Sequence, residues 1–277
     1  DVERSESEYI ALRAFVGGSS ASIGSSDLGD EALDELAARV VAMARLAPED
    51  VYAGLAPEDH LATGPHPDLA LVDADEPGPA DLRALAEAAE AAARAVPGVT
   101  NSEGAGASSG HSVFALVTSH GFAGAYATTS RSVSASVIAG EGGGMQRDYA
   151  WRSARHLADL PPPEEIGRLA GERTVRRLAP TRLASGPMPV VFDPRVGGSL
   201  VGHLLGAMSG AAIARGASFL LGREDEALFD SAVTIIDDPL RPRGLLQRFL
   251  VEQPKPPPGE EDSFTPLAEA EECRLQW

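Results

Sequence analysis

The chain has 277 residues, 43% hydrophobic and 23% charged, with a formal net charge of −18, enough to bury a core and ordinary for a globular protein. Its arginines are interleaved with Asp and Glu, so the basic patch or stripe of a nucleic-acid binder is not visible and direct nucleic-acid contact is not expected. A lone cysteine, Cys273, forbids an intramolecular disulfide and fits a reducing compartment.

The opening residues, DVERSESEYI, lack the basic start and apolar stretch of a signal peptide. The most apolar segment, 196–214, is broken by Ser199, His203, Ser209 and five glycines, so no membrane span is predicted. A cytoplasmic location is expected.

In chain order, Tyr9–Val16 reads as a strand, Gly17–Gly18 as a turn and SSASIGSS as a return strand. A strand so close to Asp1 predicts that an N-terminal portion is missing. Asp30–Leu46 is a helix, with Leu33, Leu36, Ala37, Val40, Val41 and Ala44 at helical spacing and acids in the first turn. Residues 47–78, rich in Pro, Asp and Gly, form an irregular connection carrying His60 and His66, read as surface histidines. Pro79–Ala95 is a second helix, ended by Pro97–Gly98.

Between Val99 and Gly140 the period changes to two. Val113, Ala115 and Val117 alternate with Phe114 and Leu116, and Ser132, Ser134 and Ser136 alternate with Val133, Ala135 and Val137. The pattern predicts an antiparallel sheet with one small, polar face and an exposed strand edge over 112–138 on which an extended peptide adds as a strand. The segment Gly142, Gly143, Gly144, Met145, Gln146, Arg147, Asp148 is the most distinctive loop. It lacks the Lys-Ser/Thr of a phosphate loop, so a tight turn out of the sheet is expected. Pro163–Leu178 is a third helix, acidic first and basic last. Met188–Phe192 reads as a short buried strand and Ala232–Ile236 as another.

The stretch VGGSLVGHLLGAMSGAAIARGASFLLG, Val196–Gly222, reads as a small-residue helix. Gly198, Gly202, Gly206 and Gly210 recur every four residues and form one ridge. Each glycine costs about 1 kcal/mol against alanine in a helix, so the ridge predicts a backbone or sheet pressed close to it. A zinc hydrolase needs three protein ligands, an open position and a general base. This helix offers one histidine, His203, with no Asp or Glu between Arg195 and Arg215. Zinc binding by this helix alone is therefore not predicted, and His203 is read as packed or hydrogen-bonded. No serine is read as a nucleophile on an elbow, and alternation accounts for Ser109, His111 and His120.

The fold class these elements predict is α+β. An N-terminal helix–sheet portion leads into an antiparallel sheet region packed on the glycine-ridged helix, followed by an incomplete C-terminal domain. The domains are placed at 1–180, 181–250 and 251–277, the last an anomalous tail with five prolines between 251 and 266.

The runs GGGMQRDY at 142–149, GSLVGHLLGAMSG at 198–210 and SFLLG at 218–222 resemble, as a set, the PmbA (TldE) branch of the TldD/PmbA family, over about residues 1–249. The resemblance implies a cytosolic protein. It implies a TldD branch that is a zinc metallopeptidase with HExxxH on a helix, and a PmbA branch that pairs with it in a heterodimer around a proteolytic chamber. That assembly trims small modified-peptide precursors and degrades unfolded peptides. An older family label is modulator of DNA gyrase.

Laid on this chain, HExxxH puts Gly202 and Ala207 at the two histidine positions and His203 at that of the Glu. Gly202, His203, Gly206 and Ala207 therefore mark the vestigial zinc-helix position. The resemblance implies no catalytic residue and no cofactor in this chain, zinc in a TldD-like partner subunit, and peptide as substrate. The alternatives are a metallopeptidase active in its own right and a non-proteolytic binding protein in line with the gyrase label. Relative to the family the chain is expected to be truncated at both ends. Residues 251–273 depart from the family pattern, and a truncated or frame-shifted gene is one reading of that.

Overall fold

Small and β-branched residues in alternation build a three-stranded sheet. In the computed structural model, three strands pair in the order β3 (Val99–Val117), β4 (Ala123–Ala139), β5 (Gln146–Ala154), all antiparallel. The structure describes residues 1–245 except 52, 59–60, 62–66, 224–225, 231–232, 234, 237 and 239. His60, His66, Cys273 and the 251–277 tail lie outside the described residues, as does part of the strand expected at Ala232–Ile236.

The chain divides into two compact units. In the first, Asp1–Arg176 with the described residues 240–245, strands β1 (Ile10–Val16) and β2 (Ser19–Ser25) form a hairpin turning at Gly17, whose φ is +60°. Helix α1 (Asp30–Leu46) packs on that hairpin and buries Leu36, Val40 and Ala44, one stripe at a spacing of four. Helices α2 (Pro79–Arg94) and α3 (Pro163–Arg176) cover one face of the three-stranded sheet. Proline begins α2, and the Gly78 N–H donates to Asp81 Oδ2 at 2.9 Å, satisfying an amide at the helix start.

The inward residues of β4, Val133, Ala135 and Val137, meet Ala150 of β5, Ala89 and Ala93 of α2, and Ile166 and Ala170 of α3. Burying Val133, Val137 and Ile166 contributes about 1.5–3 kcal/mol each. The Thr174 hydroxyl ties α3 to the sheet, lying 2.8 Å from the Ala170 carbonyl of its own helix and 3.3 Å from the Asp148 carbonyl of β5.

The α+β class and the antiparallel sheet stand as the sequence predicts, and the outward face carries Ser130, Ser132, Ser134 and Ser136. The helices on the inward face are α2 and α3, whereas the glycine ridge was expected there. The close approach belongs to Gly167 and Gly171 of α3, where an added Cβ would strike the backbone of α2. Strand β5 goes beyond the expected turn at 142–149. A 3-10 turn at Gly142–Gly144 leads directly into it, with Asp148 and Ala150 pointing inward.

The second unit holds Arg177–Pro239. The expected long helix is two: α4 (Pro194–Met208) and the short α5 (Gly210–Ala214). Asp193 caps α4, accepting from the Arg195 amide at 2.9 Å. Ser209 adopts extended backbone and caps α5. That cap is why the ridge breaks before Gly210. A Cβ at Gly198, Gly202, Gly206 or Gly210 would meet nothing within 4 Å, so the predicted close backbone is not found among the described residues. Met188–Phe192 is neither a strand nor buried, with Val191 at 96% exposure, because no described strand pairs with it.

Candidate functional site

Strand β4 sits mid-sheet, so β3 is an edge strand and pairs with no other strand on its outer side among the described residues. Its residues Gly104–Gly110 are all Gly, Ala or Ser, leaving the edge unobstructed by side chains. Beside it, between α2 and β3, runs a cleft of about 560 Å³. Ala105, Gly106 and Ala107 form its strand wall, and Leu82, Glu87 and Glu90 of α2 lie opposite, with Asp1–Glu3 nearby. An open strand edge beside a cleft can hold an extended chain, through main-chain hydrogen bonds and pockets for alternate side chains.

The outward sheet face continues from this edge. Register places Trp151 opposite Ser134 and Tyr149 opposite Ser136, so both half-exposed rings stand on the serine face. Ser136 Oγ donates to Glu103 Oε2 at 2.7 Å, and Arg147 pairs with Glu103 Oε1 at 3.2 Å. These contacts hold the Glu103 carboxyl below its ordinary pKa, the Ser136 hydroxyl first among them. The distinctive loop is thus placed at one corner of this face. Gly142–Gly144 form its turn, Met145 is exposed, Gln146 opens β5, Arg147 reaches Glu103, and buried Asp148 accepts from the Tyr149 amide at 2.8 Å.

A buried polar cluster, not signalled by any sequence motif, fixes the rest of the first unit. Asp73, from the irregular connection, accepts from the backbone N–H of Leu157 at 2.7 Å and of Asp75 at 3.1 Å. Its carboxylate lies 3.6 Å from His156 Nδ1 and 3.8 Å from Arg131 Nε. The Leu157 amide is the chief reason that its pKa is lowered; burial opposes it, and the Asp75 amide, His156 and Arg131 add to the lowering. His156 Nε2 lies 2.7 Å from the Ala70 carbonyl, which can only accept, so Nε2 carries the proton. Arg155 donates to the carbonyls of Gly244, Leu245 and Thr129. Apart from the Asp73 carboxylate, Arg131, Arg155 and His156 bond to main-chain carbonyls, so the cluster anchors loops to the sheet.

Other sequence candidates separate. The spacing Gly106-Ala-Ser-Ser-Gly110 matches a nucleophile elbow, yet Ser108 stands mid-strand and bonds Ser132 Oγ at 2.8 Å. An elbow needs a strand-to-helix turn. His111 is exposed on β3, while His120 Nδ1 reaches the Ala56 carbonyl at 3.0 Å. On α4, Gly202, His203 and Gly206 are exposed and Ala207 is buried. His203 is thus exposed and not packed, and it makes no hydrogen bond among the described residues. A catalytic zinc needs three protein ligands. This helix supplies a single imidazole, and among the described residues no group of three His, Cys, Asp or Glu could hold a metal. The described residues of this helix do not fit a catalytic zinc.

Comparison with known families decides the lineage. Residues 73–178 match the PmbA/TldA metallopeptidase central domain, and residues 185–250 match the C-terminal domain of the same family. The chain belongs to the PmbA/TldD metallopeptidase family. Metalloprotease PmbA of Escherichia coli O157:H7 is 34% identical over 246 residues, covering 88% of this chain and 54% of that protein. The Metalloprotease PmbA homolog of Haemophilus influenzae is 30% identical over 224 residues, covering 80% and 49%. The chain therefore spans about half the length of the curated relatives it matches.

Two solved members share the fold of this PmbA/TldD chain. A Bacteroides thetaiotaomicron protein carrying the DNA-gyrase-modulator label superposes with a TM-score of 0.75 at 27% identity, covering 86% of this chain and 55% of that one. TldE from Thermococcus kodakarensis superposes at 0.64 and 18% identity, covering 86% and 53%, a likeness of fold alone. No helix among the described residues is long and apolar enough to cross a membrane.

Proposed function

We propose that this chain is a TldE-type subunit of a heterodimeric zinc metalloprotease that acts on small or unfolded peptides. A TldD-like partner holds the zinc, and this subunit contributes chamber wall and peptide contacts. The observation that carries the reading is the α4 helix. At the place where the catalytic branch carries HExxxH, this chain has Gly202, His203 and Ala207, with one exposed imidazole and no carboxylate between Arg195 and Arg215. Such a helix has nothing to ionise a water molecule with.

The peptide contact is assigned to the open edge of β3 and its cleft. Strand addition is sequence-tolerant, because main-chain hydrogen bonds supply much of the affinity. That suits a subunit presenting unfolded peptides to a partner's metal. The reading places the assembly in the cytoplasm, without direct nucleic-acid contact.

Co-expression with the HExxxH-bearing paralogue from the same source tests the pairing. The two chains are expected to co-purify in equal amounts, with zinc in the complex and none retained by this chain alone. Stoichiometric zinc in the isolated chain would instead favour an independently active peptidase. The gyrase label of the Bacteroides thetaiotaomicron relative favours a second reading, a non-proteolytic binding protein. Binding of gyrase in the absence of the paralogue would favour it.

A further inference from the structure

Strand β4 is longer than the strand that covers its second side. β5 pairs with β4 only over Arg131–Ala139, whereas β3 follows β4 from Val99 to Val117. His111–Val117 and Ala123–Thr129 therefore run on past β5 as a two-stranded arm. At its base the β4 strand of this arm is buried at Thr128 and Thr129, but its β3 strand is open on both faces among the described residues: Val113 is 66% exposed and Val117 75% on one face, and Phe114 is 47% exposed on the other. Phe114 stacks on Tyr126 with ring centroids 5.4 Å apart.

The composition of the arm is as unusual as its position. No Asp, Glu, Lys or Arg occurs between Glu103 and Arg131, in a chain that is 23% charged. A bare two-stranded hairpin is marginal in water, and apolar side chains on both faces make it more so. Charge depletion with exposed aromatic and branched residues is the composition of an interface core.

We propose that this uncharged β3–β4 arm is the surface on which the TldD-like partner subunit seats; this rests on the subunit reading above. At about 3.4 Å per residue, seven residue pairs give an arm about 24 Å long. Two faces, an edge and a tip of that length offer roughly 800 Å², one partner's share of a standard interface. Charge selects a different chain over a second copy. A second copy would bring another −18 to every contact beyond the arm, and like charges across an interface cost affinity. The edge of β3 over Ala105–Ala107, assigned to peptide, lies outside the arm.

The test uses the full chain co-expressed with the HExxxH-bearing paralogue. Val113→Glu/Val117→Glu is expected to weaken pairing at least tenfold. Leu46→Glu, at a site 88% exposed and outside the arm, is expected to pair like wild type. In the wild-type complex, amide exchange across 111–128 is expected to slow relative to the free chain, a readout independent of how the variant folds. If wild type pairs, but the double variant pairs as tightly and exchange in the arm is unchanged, the arm assignment is overturned and the subunit reading stands. If wild type does not pair, both fall. If the wild-type chain forms homodimers that the double variant disrupts, the occupant is a second copy and the proposal is overturned.

Discussion

A Cβ placed on Gly171 would stand 2.8 Å from the carbonyl oxygen of Ala93. One turn earlier, a Cβ on Gly167 would press closer still on the carbonyl of Ala89. Helix α3 can lie on α2 only because both positions lack a side chain. Gly167→Ala and Gly171→Ala are each expected to destabilise the chain by about 1–3 kcal/mol through overpacking. That outweighs the roughly 1 kcal/mol alanine gains over glycine in a helix. Gly202→Ala and Gly206→Ala meet open space and are expected to stabilise α4 by up to about 1 kcal/mol. Urea unfolding of the four variants checks the opposite signs.

The glycines show what sequence can and cannot tell. The four-residue spacing of Gly198, Gly202 and Gly206 is visible to the eye, and Gly167 with Gly171 has the same spacing in a more polar helix. Periodicity marks a ridge without saying what lies against it. The contact was therefore expected on α4 and occurs on α3. The Asp30–Leu46 helix was legible to the residue because its apolar stripe, acidic first turn and flanking Gly29 and Pro48 agree. Strand β5 was not, because QRDYAWRSA alternates around Asp148 and Ala150, which carry little apolar signal. Met188–Phe192 has strand composition without a described partner, and composition cannot supply one. At the site, the serine face of β4 was legible from alternation, but its neighbours Trp151 and Tyr149 come from register, which only pairing reveals.

Asp73 holds the second test. Its lowered pKa reflects hydrogen bonds and charges that favour the carboxylate in the folded state. A group with a depressed folded pKa stabilises the fold above its unfolded pKa, and that contribution disappears as pH falls through the folded value. Asp73→Asn is expected to cost about 3 kcal/mol near neutral pH, as for breaking a buried pair from one side. The gap between variant and wild type should close in acid, below the ordinary carboxylate range. Thermal unfolding followed from neutral pH into acid measures it, with His156 and Arg131 as the groups facing the carboxylate.

The β3 edge makes a prediction about exchange. An unfolded model peptide added to the paired subunits is expected to slow amide exchange in β3 around Ala105–Ala107. The β1–β2 hairpin should be unaffected. Protection spread equally over both sheets would argue against strand addition at this edge.

His203 provides a negative control. It is an exposed side chain with no hydrogen bond or ion pair among the described residues, and a single imidazole does not make a zinc site. His203→Ala is expected to leave peptide hydrolysis by the pair unchanged and to alter stability by no more than about 0.5 kcal/mol. A large loss of activity with intact pairing would place this residue in the reaction after all.

The central claim is that this chain is the silent half of a zinc protease. The most direct measurement is peptide hydrolysis by this chain alone, by the HExxxH-bearing paralogue alone and by the two together, each with and without a chelator. The account predicts no cleavage by this chain alone and chelator-sensitive cleavage that requires both. Chelator-sensitive cleavage by this chain in isolation would contradict it.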